Sequence, residues 1–119
     1  MKKLLLSITM LFSIVMHSQD FTEQLKGVWS SERTSYYVVI LHDSTKGFEF
    51  VNFSFEENKS LPEVVVEEGK DYVKTLLKNP SNDYEVYITY TLKEGELHCK
   101  FEGKKLWESV YRRYWIMTN

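Results

Sequence analysis

The chain has 119 residues, of which 43% are hydrophobic and 27% are charged, and its formal net charge is -2. This length fits one domain, and the apolar fraction is too high for a disordered chain. Nucleic acid is not expected as a partner, because phosphate binding needs clustered Lys and Arg. The single cysteine, Cys99, excludes a disulfide framework and a Cys-based zinc cluster. It lies between Leu97 and Phe101 at strand spacing, which predicts a buried side chain.

The N-terminal residues 1–19 have the pattern of a secretory signal peptide. Two lysines follow Met1, and residues 4–16 form an uncharged, mostly apolar stretch before a polar step. That stretch is too short to cross a bilayer, which takes about 20 residues. We therefore expect cleavage after Ser18 or Gln19, export to a periplasm or to the medium, and no transmembrane span in the mature chain 20–119. A buried N-terminal strand or helix is the alternative.

The mature chain opens with a helical signal and then changes to strand patterns. Residues 20–23, Asp-Phe-Thr-Glu, have the form of a capping box and predict a one-turn helix that ends at Gly27. Apolar and polar residues alternate in 84–92 and, after a turn at Gly95, in 96–102. Such alternation is typical of antiparallel strands with one dry face and one wet face. Similar signals predict further strands at 28–31, 36–42, 48–55, 64–66, 72–77 and 106–117.

About eight short strands joined by tight turns predict a single all-β domain. An all-β chain has to protect its edge strands, and closing eight strands into a barrel removes the edges. Such a barrel encloses enough space for side chains or one small ligand. Short sequential turns favour an up-and-down order of strands. The predicted fold is therefore a small up-and-down antiparallel barrel with an N-terminal helical turn, and an open β-sandwich is the alternative.

The sequence contains no pattern that indicates catalysis. His42 and His98 do not have metal-ligand spacing, so no metal site is predicted. A Gly-x-Ser-x-Gly motif and a phosphate-binding glycine loop are both absent from the sequence. The acid pairs at 56–57 and 67–68 fall in predicted turns, where carboxylates are usually solvated. We expect no enzyme activity, no catalytic residue and no cofactor.

Two short motifs stand at opposite ends of the mature chain. Gly27-Val28-Trp29 follows the helical turn, and Arg112-Arg113-Tyr114 lies on the last predicted strand. Together they resemble the calycin superfamily, which includes lipocalins, fatty-acid-binding proteins and small bacterial lipocalin-like domains. The resemblance implies that Gly27 and Trp29 close one end of the barrel and that Arg112 or Arg113 packs across the indole. A guanidinium stacks well on an indole face and can donate to nearby carbonyls.

The C-terminal motif also resembles the Arg-x-Tyr that holds a ligand carboxylate in fatty-acid-binding proteins. This second resemblance implies that Arg112 or Arg113, with Tyr114, anchors the polar end of a ligand. Neighbouring strand residues point to opposite faces, so only one of the two arginines can face inward. The inward rings expected to line a cavity are Tyr84, Tyr90 and Phe101.

The sequence predicts an exported, non-catalytic binding protein that holds a small apolar or amphipathic ligand in its barrel. The alternative is a secreted protein-binding or inhibitor module, because many large inward rings would fill a narrow barrel. Its partner would be a protein or another envelope component, and a structural domain with no separable ligand is a third interpretation. A contiguous exposed aromatic patch would favour the protein-binding module. The candidates for such a patch are Tyr87, Tyr36 or Tyr37, and Trp107 or Trp115.

Overall fold

Eight antiparallel strands close into a barrel in sequence order, and the last strand pairs with the first. A computed structural model describes residues 21–115, without the side chain of Trp115. The predicted signal peptide, 1–19, lies outside the described residues. A one-turn helix, α1, spans 21–25. The strands are β1 (Gly27–Ser30), β2 (Tyr36–Asp43), β3 (Gly47–Ser54), β4 (Lys59–Glu68), β5 (Tyr72–Asn79), β6 (Tyr84–Lys93), β7 (Glu96–Glu102) and β8 (Leu106–Trp115).

The predicted all-β, up-and-down barrel with an N-terminal helical turn is confirmed, and the chain does not form the open sandwich. Each strand pairs with the next one, and the β1–β8 pair closes the circle with Trp29 opposite Arg113 and Ser30 opposite Arg112. Every described strand therefore has a neighbour on both sides, and the barrel has no free edge. A binding partner can reach the side chains and the ends of the barrel but cannot add a strand to it.

The alternation predicted for the β6–β7 hairpin is confirmed. Two central residues, Glu94 and Gly95, connect these strands with φ angles of 53° and 78°. Positive φ at both positions is the geometry of a two-residue hairpin turn that matches the strand twist. Cys99 is a free, buried thiol, as its strand position predicted. The buried residues of the hairpin are Val86, Ile88, Tyr90, Leu97, Cys99 and Phe101.

β4 extends well beyond the segment 64–66 that was predicted for it. It spans Lys59–Glu68 and includes Pro62, which lies opposite Val51 of β3. Pairing with β5 begins only at Glu63, so Pro62 is paired on one side only, as is usual for a proline in a strand. The sequence pattern underestimated this strand because Pro and Lys are depleted in strands.

Candidate functional site

Trp29 closes the end of the barrel at which helix α1 lies. Its side chain is 0% exposed, and its Nε1 donates a hydrogen bond of 2.9 Å to the Leu25 carbonyl. The Arg113 guanidinium lies over the indole, 4.3 Å from the ring centroid. It also donates hydrogen bonds to the carbonyls of Lys26, at 2.8 Å, and Gln24. One side chain of β8 thereby holds together the helix, β1 and β8.

The neighbouring Arg112 has a different environment. Its side chain is 77% exposed, and its Nε lies 3.0 Å from a carboxylate oxygen of Glu96 on β7. Partial burial lowers the pKa of the Arg113 guanidinium, which stays charged because an arginine side chain is not deprotonated in proteins. Of the two arginines, Arg113 faces Trp29 and is already engaged with the backbone of the closed end.

Side chains of the chain itself occupy the barrel interior. The rings of Phe50 and Tyr90 stack with their centroids 4.7 Å apart, and both side chains are buried. Phe101 is also buried and stacks on Trp107 with a centroid distance of 3.8 Å. Tyr90 and Phe101, two of the rings expected to line a cavity, therefore face inward but pack against other rings of the chain.

The interior also contains an acid, Glu63, which sequence reasoning missed. The residue is 7% exposed, and its carboxyl accepts hydrogen bonds from Thr75 Oγ1, at 2.5 Å, and from the Tyr90 hydroxyl, at 2.8 and 2.9 Å. Asn52 Nδ2 donates a further hydrogen bond to it. Among residues 21–115, no buried side-chain nitrogen or oxygen lacks a partner. These four residues satisfy one another without a ligand.

Burial shifts the pKa values of the titratable groups in and beside this cluster. Loss of water raises the pKa of the Glu63 carboxyl, and its hydrogen bonds with Thr75, Tyr90 and Asn52 only partly offset that rise. Burial also raises the pKa of the Tyr90 hydroxyl and of the Cys99 thiol, and the nearby Glu63 carboxylate adds to both effects. A buried thiol with a raised pKa is a poor nucleophile.

The remaining predicted ligand residues lie outside the interior. Tyr84 is the first residue of β6 and is exposed at the end of the strand. Tyr114 lies on the outer surface and packs edge-on against Tyr37, with centroids 5.1 Å apart. The structure therefore does not bring the six proposed ligand residues together, because Arg113 belongs to the closed end and Arg112 is exposed.

The outer side of β2, β3 and β4 is apolar over neighbouring positions of all three strands. Val39 lies opposite Val51, and Val51 lies opposite Pro62. Glu49 carries the one charge among the outward positions 37, 39, 41, 49, 51, 53, 62, 64 and 66. We call this surface the apolar face, and its members are Tyr37, Val39, Leu41, Val51, Phe53, Phe55, Pro62, Val64 and Val66.

Contacts between aromatic rings join the members of the apolar face that lie near Phe55. Phe55 packs edge-on against both Tyr37 and Phe53, with centroid distances of 5.5 and 4.7 Å. Tyr114 reaches Tyr37 across the short strand β1, whose outward residue Ser30 is small. Phe55 is 70% exposed and Val64 is 64% exposed. The sequence analysis named Tyr36 or Tyr37 as a surface candidate but missed Phe53, Phe55 and Val64.

The inward positions of β3 and β4 combine polar and apolar residues, because Phe50 is buried on the same side. Their inward positions include Asn52, Ser54 and Glu63, which are buried, whereas Phe55 and Val64 lie outside and exposed. A shift of one residue would exchange the two faces of a strand. The structure adopts the register that buries Asn52, Ser54 and Glu63 together with Phe50 and leaves Phe55 and Val64 exposed.

The opposite side of the barrel, formed by β6, β7 and β8, carries a polar groove beside the exposed apolar side chains of Tyr87, Leu106 and Val110. A groove of about 970 Å³ lies along these strands and extends to the β1–β2 loop. Its charges are of both signs, and Arg112 is paired with Glu96. The groove therefore has no strong preference for an anion or a cation. Its described lining includes Thr89, Thr91, His98, Lys100, Glu108 and Arg112.

Comparison of the chain with protein-family models, with curated proteins and with solved structures found no match. Within residues 21–115, no helix is long and apolar enough to cross a membrane. The same part of the chain contains no group of three His, Cys, Asp or Glu residues placed to hold a metal ion. Of the features described above, the apolar face is the one whose exposure in water the fold itself does not explain.

Proposed function

We propose that the chain is an exported, non-catalytic barrel protein that binds another protein through its apolar face. The observation that carries this proposal is the contiguous exposure of Phe55, Val64 and their neighbours on a barrel without free edges. Isolated apolar residues are common on surfaces, but a contiguous patch of several hundred Å² usually marks an interaction site. The proposed export rests on the signal-peptide pattern of residues 1–19.

The occupied interior supports protein binding over ligand transport. A carrier of an apolar ligand needs a cavity, yet the rings of Phe50 and Tyr90 stack on each other where that cavity would lie. The donors that could hold a ligand carboxylate, Thr75 and Tyr90, donate instead to Glu63. The ligand carrier predicted from the sequence is therefore the less supported of the two functions.

The closed end of the barrel supports a calycin-type fold. The resemblance of the two terminal motifs implied a Trp that closes the barrel and a basic residue that covers it. The stacking of Arg113 on Trp29 and its hydrogen bonds to the Lys26 and Gln24 carbonyls have that form. We propose calycin membership on this geometry together with the up-and-down order of the strands.

Photo-crosslinking in the cells that produce the protein tests this function. A benzophenone amino acid is introduced at Val64 on the apolar face or, as a matched control, at Val110, an outward valine of the side with the polar groove. We expect a covalent protein adduct from position 64 and much less from position 110. Equal yields at the two positions, or no adduct at position 64, would contradict the proposal.

Native mass spectrometry followed by organic extraction separates this function from ligand transport. We expect the purified protein to carry no extractable apolar molecule at a stoichiometric level, because its interior is filled by its own side chains. Recovery of one apolar molecule per chain would favour the ligand carrier and contradict the proposed function.

A further inference from the structure

We propose that the partner of the apolar face is a second copy of the same chain, so that two barrels pack face to face as a symmetric dimer. This inference rests on the proposed function, because it names the partner of the same surface. The closed barrel prevents dimerisation through paired strand edges. Two copies can therefore associate only through faces or ends, and the outer surface of β2–β4 is an apolar sheet face of the kind that packs in β-sandwiches.

The extent of the apolar face approaches what one partner of a stable dimer buries. A fully exposed aromatic side chain offers roughly 150–250 Å², and Phe55 is 70% exposed and Tyr114 is 60% exposed. Together with the exposed parts of Val64, Val66 and Leu41, these two rings amount to on the order of 500 Å², and the other members of the face, which are also partly exposed, add to that area. A standard protein interface buries about 800 Å² on each partner.

The distribution of charge favours two identical faces over a strongly charged partner. The centre of the apolar face carries no charge, and depletion of charge is typical of the core of homodimer interfaces. The surrounding positions carry both signs, with Glu49 and Glu67 beside Lys59 and Lys78. A rim of mixed sign lets two copies approach without repulsion, whereas a one-signed rim would select an oppositely charged partner. A lipid surface is less favoured because no cluster of cations borders the described part of the face.

The burial of Glu63 on β4 gives a physical reason for a permanent partner. The buried Glu63 has its full set of donors only in the register that places Val64 and Phe55 outside. Covering these side chains in a dimer removes their apolar surface from water, which is favourable by about 25 cal/mol per Å². The dimer therefore stabilises the register that the monomer adopts.

Light scattering coupled to size-exclusion chromatography measures the mass of the purified protein in solution. We expect the unchanged protein to elute at twice the mass of one chain at micromolar concentration. Val64→Glu places a further charge on the apolar face, and we expect it to raise the dimer dissociation constant at least about tenfold. Val110→Glu is the matched control on the side with the polar groove and should remain dimeric.

A second pair of variants keeps the test independent of folding defects. Phe55→Glu changes a residue that follows β3, and Leu106→Glu is a control of similar exposure, 67%, at the start of β8. We expect Phe55→Glu to weaken the dimer and Leu106→Glu not to, with circular dichroism spectra that match the unchanged protein. A folded Phe55→Glu or Val64→Glu variant that stays fully dimeric would overturn the inference.

The crosslinking experiment distinguishes failure of this inference from failure of the proposed function. An adduct at position 64 with twice the mass of the chain supports the second copy as partner. A monomeric purified protein that forms an adduct with a different protein overturns the dimer but leaves the proposed function. A monomer that gives no protein adduct, and instead floats with phosphatidylglycerol vesicles, overturns both.

Discussion

At the scale of single residues, Arg112 and Arg113 have different roles because they lie one position apart in a strand. They are neighbours in the chain and face opposite sides of the barrel wall, as strand geometry requires. Arg113 stacks on Trp29 and donates to two backbone carbonyls, whereas Arg112 pairs with Glu96 in water. Exposed ion pairs contribute little to stability, and planar stacking with directed hydrogen bonds contributes more.

Replacing each arginine by lysine tests this difference in role. We expect Arg113→Lys to lower the free energy of unfolding by about 1–3 kcal/mol, because an ammonium cannot stack as a plane and cannot reach both carbonyls. We expect Arg112→Lys to change it little. Urea denaturation of the two variants measures both values, and equal losses would contradict the assignment of Arg113 to the closed end.

Glu63 gives a pH dependence of stability at the residue scale. Its pKa is raised in the folded state, so the proton is bound more tightly there than in the unfolded chain. The stability linked to that proton is complete below the unfolded pKa, roughly 4.3, and is lost as the pH rises through the folded pKa. Each pKa unit of difference corresponds to about 1.4 kcal/mol.

We therefore expect the stability of the unchanged protein to fall relative to Glu63→Gln as the pH rises above roughly 4.3. Gln cannot ionise, so its burial cost does not change with pH. Urea denaturation between acidic and neutral pH measures the difference, with Glu67→Gln as a control for an exposed acid of the same strand. Parallel stability curves for the unchanged protein and Glu63→Gln would contradict the raised pKa.

At the scale of secondary structure elements, the β6–β7 turn follows directly from local chemistry. Glu94 and Gly95 both have positive φ, and a Cβ added at Gly95 would meet no atom within 4 Å. A substitution at Gly95 is therefore disfavoured by the backbone conformation alone. A non-glycine residue in the left-handed region costs about 1–2 kcal/mol.

We expect Gly95→Ala to lower the free energy of unfolding by about 1–2 kcal/mol for this reason. Glu94→Asn should cause no loss, because Asn tolerates positive φ and Asn-Gly is the preferred pair in such turns. Thermal or urea denaturation of the two variants checks the prediction. A neutral Gly95→Ala variant would show that the turn relaxes to a different geometry.

At the scale of the whole molecule, closure of the barrel sorts the outer surface into two sides. Strands β2–β4 lie opposite β6–β8 around the circle of eight, so the apolar face and the polar groove lie mainly on opposite sides of the barrel and meet at Tyr37. The outward residues of three consecutive strands determine the character of each side. This separation supports a protein that has one bound side and one solvated side, which is why the matched variants place Val64 against Val110.

The sequence by itself determined the fold class, the number of strands and most of their positions. The alternation in 84–92 and 96–102 and turn residues such as Gly95 are local signals. Local backbone preferences are enough to determine strands and turns from them. The motif Gly27-Val28-Trp29 and the last strand also indicated a closed end with an arginine over Trp29. The sequence did not show which arginine this is. Strand alternation places Arg112 and Arg113 on opposite faces of the barrel wall but does not say which of them faces inward.

Only the tertiary structure decided the orientation of β4 and the role of its acid. Val64, Val65 and Val66 show no alternation of apolar and polar residues, so the sequence does not indicate which of them faces inward. From the sequence alone, Glu63 is expected to be exposed to water. Its burial becomes favourable only when closure brings donors from β3, β5 and β6 around it, among them Thr75 and Tyr90. Those strands are distant in sequence, so a local pattern cannot report their contacts. The same closure turned Val64 outward and created the apolar face on which the proposed function depends.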